Sequence, residues 1–363
     1  MIGKTLFFYI SWRFLKQLIA MMLLLLFLIV TVDFIETLRK VKNESGVSMG
    51  QIFLISLYTA PFYIDKAFPF ACLFAAMGTL SQLNSKLELV VARAAGISAW
   101  QFLLPIAGTA LIIGILASTL YNPLAINLYE SSLDMRAVHI KGKARTNATS
   151  KTGFWLRQKD ENGSSVINAE LARDGGVLLD GIKILRFDEN DLIYAQISAK
   201  SAVHQGNSWL LSDVTITDSD QKITAQATMI LPTNVSTHYL LGSVANPDSV
   251  SFWNLQDTAK KVASSGLNHL PYLVQFQSLL ALPFFLIAMV IIAATVSLKF
   301  VRFGQTGRMI LGGISSGFVL YALTRLVTSL GSNGVVPPLV AAWAPSVIAI
   351  LFGMSMLLHQ EDG

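Results

Sequence analysis

The chain has 363 residues, of which 13% are charged and 53% hydrophobic, and its net charge is +5 from 27 basic and 22 acidic side chains. Soluble proteins carry about 25% charged residues, and their water-facing surface cannot be solvated by half that share. With a mean hydropathy of +0.55, the composition excludes a disordered chain, a disulfide scaffold and an ordinary cytosolic enzyme, and it points to a membrane protein. The single cysteine, Cys72, lies in an apolar run, so there is neither a disulfide framework nor zinc-ligand spacing.

Runs without charge set the organisation. The N-terminus adds an apolar stretch to them, 14–32, containing Met21-Met-Leu-Leu-Leu-Leu-Phe27. It has the basic flanks Lys4, Arg13 and Lys16 of a signal peptide but ends at Asp33 and Glu36 without a small-residue cleavage site. It therefore reads as a retained span. The charge-free runs are 67–85, 94–129, 270–298, 309–324 and, after Arg325, 326–360. About 20 apolar residues cross the hydrocarbon core as a helix. Six spans are expected, at about 14–36, 66–84, 100–122, 272–298, 308–330 and 338–358. The stretch 51–63 is short for a crossing and precedes Asp65-Lys66, so it reads as an interfacial or re-entrant helix leading into span 2.

More than half of the charged side chains fall between 130 and 261. That stretch is expected to form a separate β domain. Ile223-Thr-Ala-Gln-Ala-Thr-Met-Ile230, Val214-Thr-Ile-Thr217 and Ile182-Lys-Ile-Leu-Arg-Phe187 alternate with period two. Gly175-Gly176, Asp180-Gly181, Glu189-Asn190-Asp191 and Gly206-Asn207 are turn signals. Short strands so spaced suggest an antiparallel sandwich or roll. A helical-looking segment, 250–266, leads back to the membrane. The domains are then 1–129, three spans; 130–268, the β domain; and 269–363, three further spans.

Loop charges orient the chain. Lys86 and Arg93 lie between spans 2 and 3, and Lys299, Arg302 and Arg308 between spans 4 and 5. With the N-terminal bases they mark the cytoplasmic side, which places both termini inside and the β domain outside. Arg39, Lys40 and Lys42 fall outside, against the rule.

Most motif matches dissolve on inspection. No Gly-x-x-x-x-Gly-Lys-Ser/Thr loop occurs, so no nucleotide is hydrolysed through a Walker site. Gly313-Ile-Ser315-Ser-Gly317 matches a serine-nucleophile pattern. That chemistry needs a strand–turn–helix and a histidine base, and no histidine lies within a span. Close helix packing explains these small residues better, and an intramembrane serine protease using Ser315 is the weaker alternative. The five histidines have no ligand spacing, so no metal site is expected. Asn147, Asn162 and Asn234 match glycosylation sequons that short polar loops produce by chance.

Two places remain. Between spans 2 and 3, Leu87, Val90, Val91 and Ala94 fall on one face of a short helix, with Gly96 as its C-cap and Glu88 and Arg93 flanking the face. Such a helix either lies in the interface or docks in a partner's groove. The second place is a set of charges at the expected outer ends of the spans: Asp33, Glu36, Arg39 and Lys40, then Arg136, and Arg325 in span 5. Arg325 is either a snorkelling anchor, paired with a carboxylate such as Asp33, or part of a site for an anionic headgroup, since guanidinium binds phosphate bidentately.

The order of these motifs resembles the LptF/LptG permeases of the lipopolysaccharide export transporter of Gram-negative bacteria. Leu87-Glu-Leu-Val-Val91 followed by Ala95-Gly96 is similar to the family's coupling helix, placed here at about 85–97. Gly307-Arg308 leading to Gly313-Ile-Ser-Ser-Gly-Phe-Val-Leu-Tyr321 is a second match, and Val336-Pro-Pro338 followed by Ala344-Pro345 a third. Ile2-Gly-Lys-Thr5 is also similar. The motifs lie nearer the LptG branch than the LptF branch.

The resemblance implies a polytopic α-helical protein of six transmembrane helices with an inserted all-β, jellyroll-like periplasmic domain. It would sit in the inner membrane beside an LptF-type permease, two LptB-type ATPase subunits and an LptC-type bridge leading to LptA. The chain itself would be non-catalytic and without cofactor, with ATP and Mg bound by the ATPase. Leu87, Glu88, Val91 and Arg93 would couple to that ATPase, with Glu88 as the acid that meets it. Arg39, Lys40 and Arg136 match basic positions near the lipid's phosphates, and Arg325 is a further candidate. Asp33 departs from the lysine of some members and would repel phosphate, so that contact is not carried over. Permeases of the lipoprotein-releasing type place their large external domain after span 1; here it follows span 3.

Overall fold

The computed structural model describes residues 3–41, 47–139, 154–160, 163–173, 177–187, 192–206, 208–218, 223–233, 246–264, 268–299 and 306–362. They form two compact units. One comprises Met1–Leu133, Val250–Gln256 and Leu270–Gly363, the other Asp134–Ser249 and Asp257–His269.

The first unit is helical. Helix α1 spans Lys4–Lys40, α2 Met49–Ser85, α3 Glu88–Ala94 and α4 Ala99–Leu116. A π-helical turn, Ala117–Tyr121, runs into α5, Asn122–His139. After the strands the short α6, Leu255–Ser264, most of which belongs to the second unit, leads to three long helices. These are α7, Leu270–Lys299, α8, Thr306–Ser332, and α9, Pro338–Asp362. Ser48 and Ser98 start α2 and α4 as capping boxes with Gln51 and Gln101, each satisfying two orphan amides at a helix entrance.

Five helices among the described residues are long and apolar enough to cross a membrane: Lys4–Lys40, Trp100–Arg136, Leu270–Ser297, Leu311–Ser332 and Pro338–His359. The expected interfacial helix 51–63 is corrected, because it is the first half of one continuous helix with the expected second span. That helix, α2, is not among the five. Its apolar run is diluted by Asp65, Lys66, Pro61 and Pro69. Its second half is also shielded by its neighbours: Ala71, Cys72, Leu73, Ala75, Ala76, Met77, Leu80 and Leu83 are all buried. A helix covered by protein needs less apolar surface than one facing lipid.

The core joins Ile10, Phe14 and Leu18 of α1 with α2, with Phe102, Leu103 and Ile106 of α4, and with Leu286, Met289 and Val290 of α7. At the crossing of α4 and α7 a Cβ on Gly114 would stand 2.5 Å from the Cα of Pro283, so only glycine fits. Pro283 lacks an amide for the carbonyl of Leu279 four residues earlier. The Ser118 hydroxyl donates to that carbonyl at 2.7 Å. Beside the π-helical turn, the Asn122 side chain donates to Asp65 at 2.8 Å and accepts from the Phe252 amide at 3.1 Å. The small residues of span 5 pack as expected. A Cβ on Gly317 would lie 2.7 Å from Leu73, and Gly313 sits against the Met77 side chain.

The second unit carries β1 Phe154–Asp160, β2 Gly163–Arg173, β3 Leu178–Phe187, β4 Ile193–His204, β5 Ser208–Asp218 and β6 Ile223–Pro232. They form one antiparallel sheet in the order β1-β2-β3-β4-β5-β6. This nearest-neighbour meander is not the double Greek key that defines a jelly roll, so the described strands carry the β domain but not that topology. One row across the sheet is Ile167, Ile184, Ile197 and Ile216, each opposite the next.

Asp180-Gly181 is not a turn, which corrects the sequence reading. Gly181 lies inside β3 at φ +63, a conformation glycine adopts without penalty. Its register position meets Lys200 of β4 and then Asp213 of β5, itself at φ 53. The buried side chains on either side are Leu179 and Ile182, Ala199 and Ala202, Leu211 and Val214. All three strands therefore lose the two-residue period at the same line while keeping register. Gly206 forms the β4–β5 turn as expected, with the Gln205 amide bonded to the Ser208 carbonyl at 2.8 Å. Gly175-Gly176, Glu189-Asn190-Asp191, Asn147, Asn162 and Asn234 lie outside the described residues.

Candidate functional site

Helix α3 is fixed at both ends. Leu87 takes φ 58, a left-handed conformation that costs an L-residue roughly 1–2 kcal/mol. It turns the chain from α2 into α3 without slack, and its amide bonds back to Asn84 at 2.9 Å. At the other end Gly96 has φ +84, and the Ile97 amide reaches the Ala92 carbonyl at 3.1 Å. This is the six-to-one bond of a Schellman cap, so Gly96 is the C-cap expected from sequence. Ser98 opens α4 two residues later.

Leu89 and Ala92 point into the helical core. Leu87, Val90 and Val91 are 61%, 51% and 67% exposed, and Ala94 is exposed beside them. The apolar face read from the sequence is thus the uncovered one. Arg93 belongs to α3, but its side chain lies outside the described residues. So do the side chains of Lys299 and Arg308, and Arg302 altogether.

Glu88 is the surprise of the segment. Its carboxylate accepts Nη1 of Arg13 at 3.0 Å on each oxygen, and the Tyr9 hydroxyl at 3.1 and 3.2 Å. Arg13 also donates to the Tyr9 hydroxyl at 2.8 Å. Arg13 was legible only as a basic flank of span 1, and Tyr9 carried no signal of its own. They stand four residues apart on one face of α1, but nothing local in the sequence links them to a residue after α2.

The expected lipid-facing bases are placed as follows. Arg39 and Lys40 are exposed in the last turn of α1, with Lys40 paired to Glu36. Arg136 is half-buried near the end of α5, in the second unit. Arg325 is exposed on α8. Its Nε donates to the Tyr321 hydroxyl at 2.9 Å, and its guanidinium lies 5.3 Å from that ring. Tyr321 in turn packs against Phe70 of α2 at 5.4 Å. Arg325 is therefore steadied by an aromatic residue one helical turn away. Among the described residues no group of three or more histidine, cysteine or acidic side chains could hold a metal ion. Ser315 is exposed on α8, and the neighbouring Ser316 hydroxyl bonds back to the Gly312 and Gly313 carbonyls.

Comparison with known proteins finds relatives over nearly the whole chain. The profile of the lipopolysaccharide export system permease LptF/LptG family matches residues 8–359. The chain is 25% identical over 356 residues to the lipopolysaccharide export system permease protein LptG of Escherichia coli K12, covering 95% of this chain and 97% of that one. It is 24% identical over 374 residues to the LptG of Haemophilus influenzae Rd, covering 99% of both.

Proposed function

The chain belongs to the LptF/LptG family of lipopolysaccharide export permeases, and on that premise we propose that it is the LptG-type subunit of an ATP-driven exporter. It takes lipopolysaccharide from the outer leaflet of the inner membrane and passes it to a periplasmic bridge. α2 counts as the sixth span in this reading, both termini are cytoplasmic, and the β domain is periplasmic. The ATPase chemistry belongs to LptB-type partners. This chain supplies half of a membrane cavity, a basic rim and the segment through which the ATPase acts.

The observation that carries the reading is α3. It is a short helix with no freedom at either end that leaves Leu87, Val90 and Val91 uncovered on the side away from its own core. Apolar side chains so held favour a groove in a partner, because burying each contributes about 1.5–3 kcal/mol and little ordering entropy remains to be lost. Closure of the ATPase pair then moves α3, and the cavity between this permease and its LptF-type partner narrows. Lipid that has entered between spans 1 and 5 is driven toward the β domain and on to LptC-type and LptA-type proteins. Arg39, Lys40, Arg136 and Arg325 are the bases offered to its phosphates; guanidinium matches phosphate geometry bidentately.

Purification in mild detergent, with copurifying chains and lipid identified by mass, tests the whole reading. An ATPase subunit, a second permease and lipopolysaccharide are expected. A chain that purifies without an ATPase from cells expressing all the partners sinks it. An LptF-type role is the second reading, and the same experiment separates the two through the identity of the partner permease.

A further inference from the structure

We infer that Asn122 is a positioning residue that clamps the chain returning from the β domain onto α2 and the third span, so that a movement of these helices shifts the root of that domain. The inference rests on the reading of α3 as the segment the ATPase moves, and it concerns the hand-over of lipid from the membrane cavity to the β domain.

The third span, α4 and α5 with the π-helical turn Ala117–Tyr121 between them, is broken for a reason visible in its sequence. Pro123 has no amide to give the Thr119 carbonyl four residues earlier. The Trp253 indole donates to that carbonyl instead, at 3.0 Å. Asn122, directly after the turn, is 1% exposed. The partners of its side chain fix which end of the amide is which, since the Phe252 amide can only donate and an ionised Asp65 only accept. Its oxygen takes the Phe252 amide at 3.1 Å, and its nitrogen donates to Asp65 at 2.8 Å. Phe252 begins the short 3-10 turn Phe252–Asn254, whose preceding Ser251 makes no side-chain cap. Asn122 therefore caps that turn from another helix. The Phe252 ring is buried and stacks on Phe276 of α7 at 5.3 Å. Two consecutive residues of the returning chain are thus hydrogen-bonded to the break in the third span, and the same Asn122 binds α2. Polar groups buried in this way have little water to replace a lost partner.

Topology gives the clamp its consequence. α3 is joined to α2 by the left-handed turn at Leu87 and to α4 by the Gly96 cap and Ser98, so both helices must follow it. They meet again at Asp65 and Asn122. The Tyr121 hydroxyl donates to the Pro61 carbonyl at 3.1 Å, and Phe62 stacks on Tyr129 at 4.1 Å, which extends the contact along both helices. The returning segment Val250–Gln256 belongs to the first unit, although the chain on either side of it, up to Ser249 and from Asp257, belongs to the second. α5, which starts at Asn122, passes into the second unit after Leu133. The outgoing and the returning chain of the β domain are therefore tied together at one buried side chain. Apolar packing lets segments slide, whereas hydrogen bonds to a backbone amide fix register. The clamp is what makes the returning segment travel with the helices that flank α3.

The test is an exchange of the two side chains in the complete transporter, co-expressed with its partner chains. Asn122→Asp keeps an acceptor for Phe252 but sets a carboxylate against Asp65. Adding Asp65→Asn rebuilds both bonds, since the new carboxylate accepts from the Phe252 amide and from the new side-chain amide. Trp253→Phe removes only the indole donor. ATP hydrolysis, amide exchange of 250–256, and photocrosslinking of lipopolysaccharide to the membrane helices and to the β strands are read for each. Asn122→Asp should speed exchange at Phe252 and cut crosslinking to the strands about tenfold or more, the effect of losing a buried hydrogen bond. Crosslinking to the membrane helices and ATP hydrolysis should stay within about threefold of wild type, because lipid entry and the ATPase do not pass through the clamp. The double exchange should return strand crosslinking to within about threefold of wild type, since coupled residues are non-additive, and Trp253→Phe should lower it less than Asn122→Asp. Where Asn122→Asp does not assemble, Asn122→Ser, which sets no charge beside Asp65, is read in the same way. Strand crosslinking or Phe252 exchange unchanged in Asn122→Asp overturns the inference alone. Equal losses at helices, strands and ATP hydrolysis show a residue that only holds the fold, and overturn the positioning role. A wild-type complex that crosslinks lipid in neither place with ATP fails on the permease reading and takes the inference with it.

Discussion

The Ser118 hydroxyl donates to the Leu279 carbonyl at 2.7 Å, the one carbonyl of α7 that Pro283 deprives of an amide partner. A break in one membrane helix is thus mended by a side chain of another. Gly114, one helical turn before Ser118, lets the two backbones close on Pro283. An unsatisfied carbonyl in this apolar core would cost about 1–3 kcal/mol. Ser118→Ala should therefore lower the thermal midpoint of the detergent-solubilised chain, with Ser118→Thr restoring part of it. Gly114→Ile should be the worse substitution, because backbone rather than a flexible side chain meets the new methylenes. An unchanged midpoint in Ser118→Ala would show that the Leu279 carbonyl is satisfied in another way.

The exposed face of α3 makes a separate prediction about binding. Val90→Asp and Val91→Asp each place a charge where an apolar side chain is expected to be buried. Each should reduce copurification of the ATPase about tenfold or more, because desolvating a carboxylate is costly where taking a valine out of water is favourable. Leu89→Ala acts from the opposite side and should lower stability first. Retention of the ATPase by the Val90→Asp, Val91→Asp double variant would remove this face from the interface.

Arg325 tests the basic rim. Arg325→Ala should weaken photocrosslinking to lipopolysaccharide about tenfold, since it removes charge-assisted hydrogen bonds to phosphate. Arg325→Lys should restore it only in part, because an ammonium lacks the planar fork. Tyr321→Phe should fall between wild type and alanine, since it removes the hydroxyl at 2.9 Å from Nε but keeps the ring. The double variant Arg39→Ala, Arg136→Ala should also weaken crosslinking. Crosslinking at the wild-type level in both experiments would refute the rim.

The small-residue stretch of α8 distinguishes packing from catalysis. Ser315→Ala should leave lipid release unchanged, while Gly317→Leu should impair assembly, because Leu73 of α2 occupies the space its side chain would need. Activity abolished in Ser315→Ala with the fold intact would reopen the protease reading.

Much of this was legible in the sequence because it is local. Charge-free runs of sufficient length become helices wherever the surroundings are apolar, and the cap at Gly96 and the face at Leu87, Val90 and Val91 follow from helical period alone. The period-two runs became β3, β5 and β6. Asp180-Gly181 misled because the same left-handed glycine serves a turn and the kink inside a strand. Only the neighbours Lys200 and Asp213, brought beside it by pairing, show which it is. The expected break between 51–63 and the next span failed because Asp65-Lys66 reads as an interface when its helix is taken alone. In the fold Asp65 takes a hydrogen bond from Asn122 of α5.

The sequence by itself therefore determined that this is a membrane protein with an inserted β domain, where most of the apolar helices fall, and which short segment presents an apolar face. The tertiary structure decided what the isolated polar residues are for. Glu88 carries a charge readable in one dimension, but a charge acts through its nearest partner. That partner, Arg13, lies 75 residues away in sequence and 3.0 Å away in space.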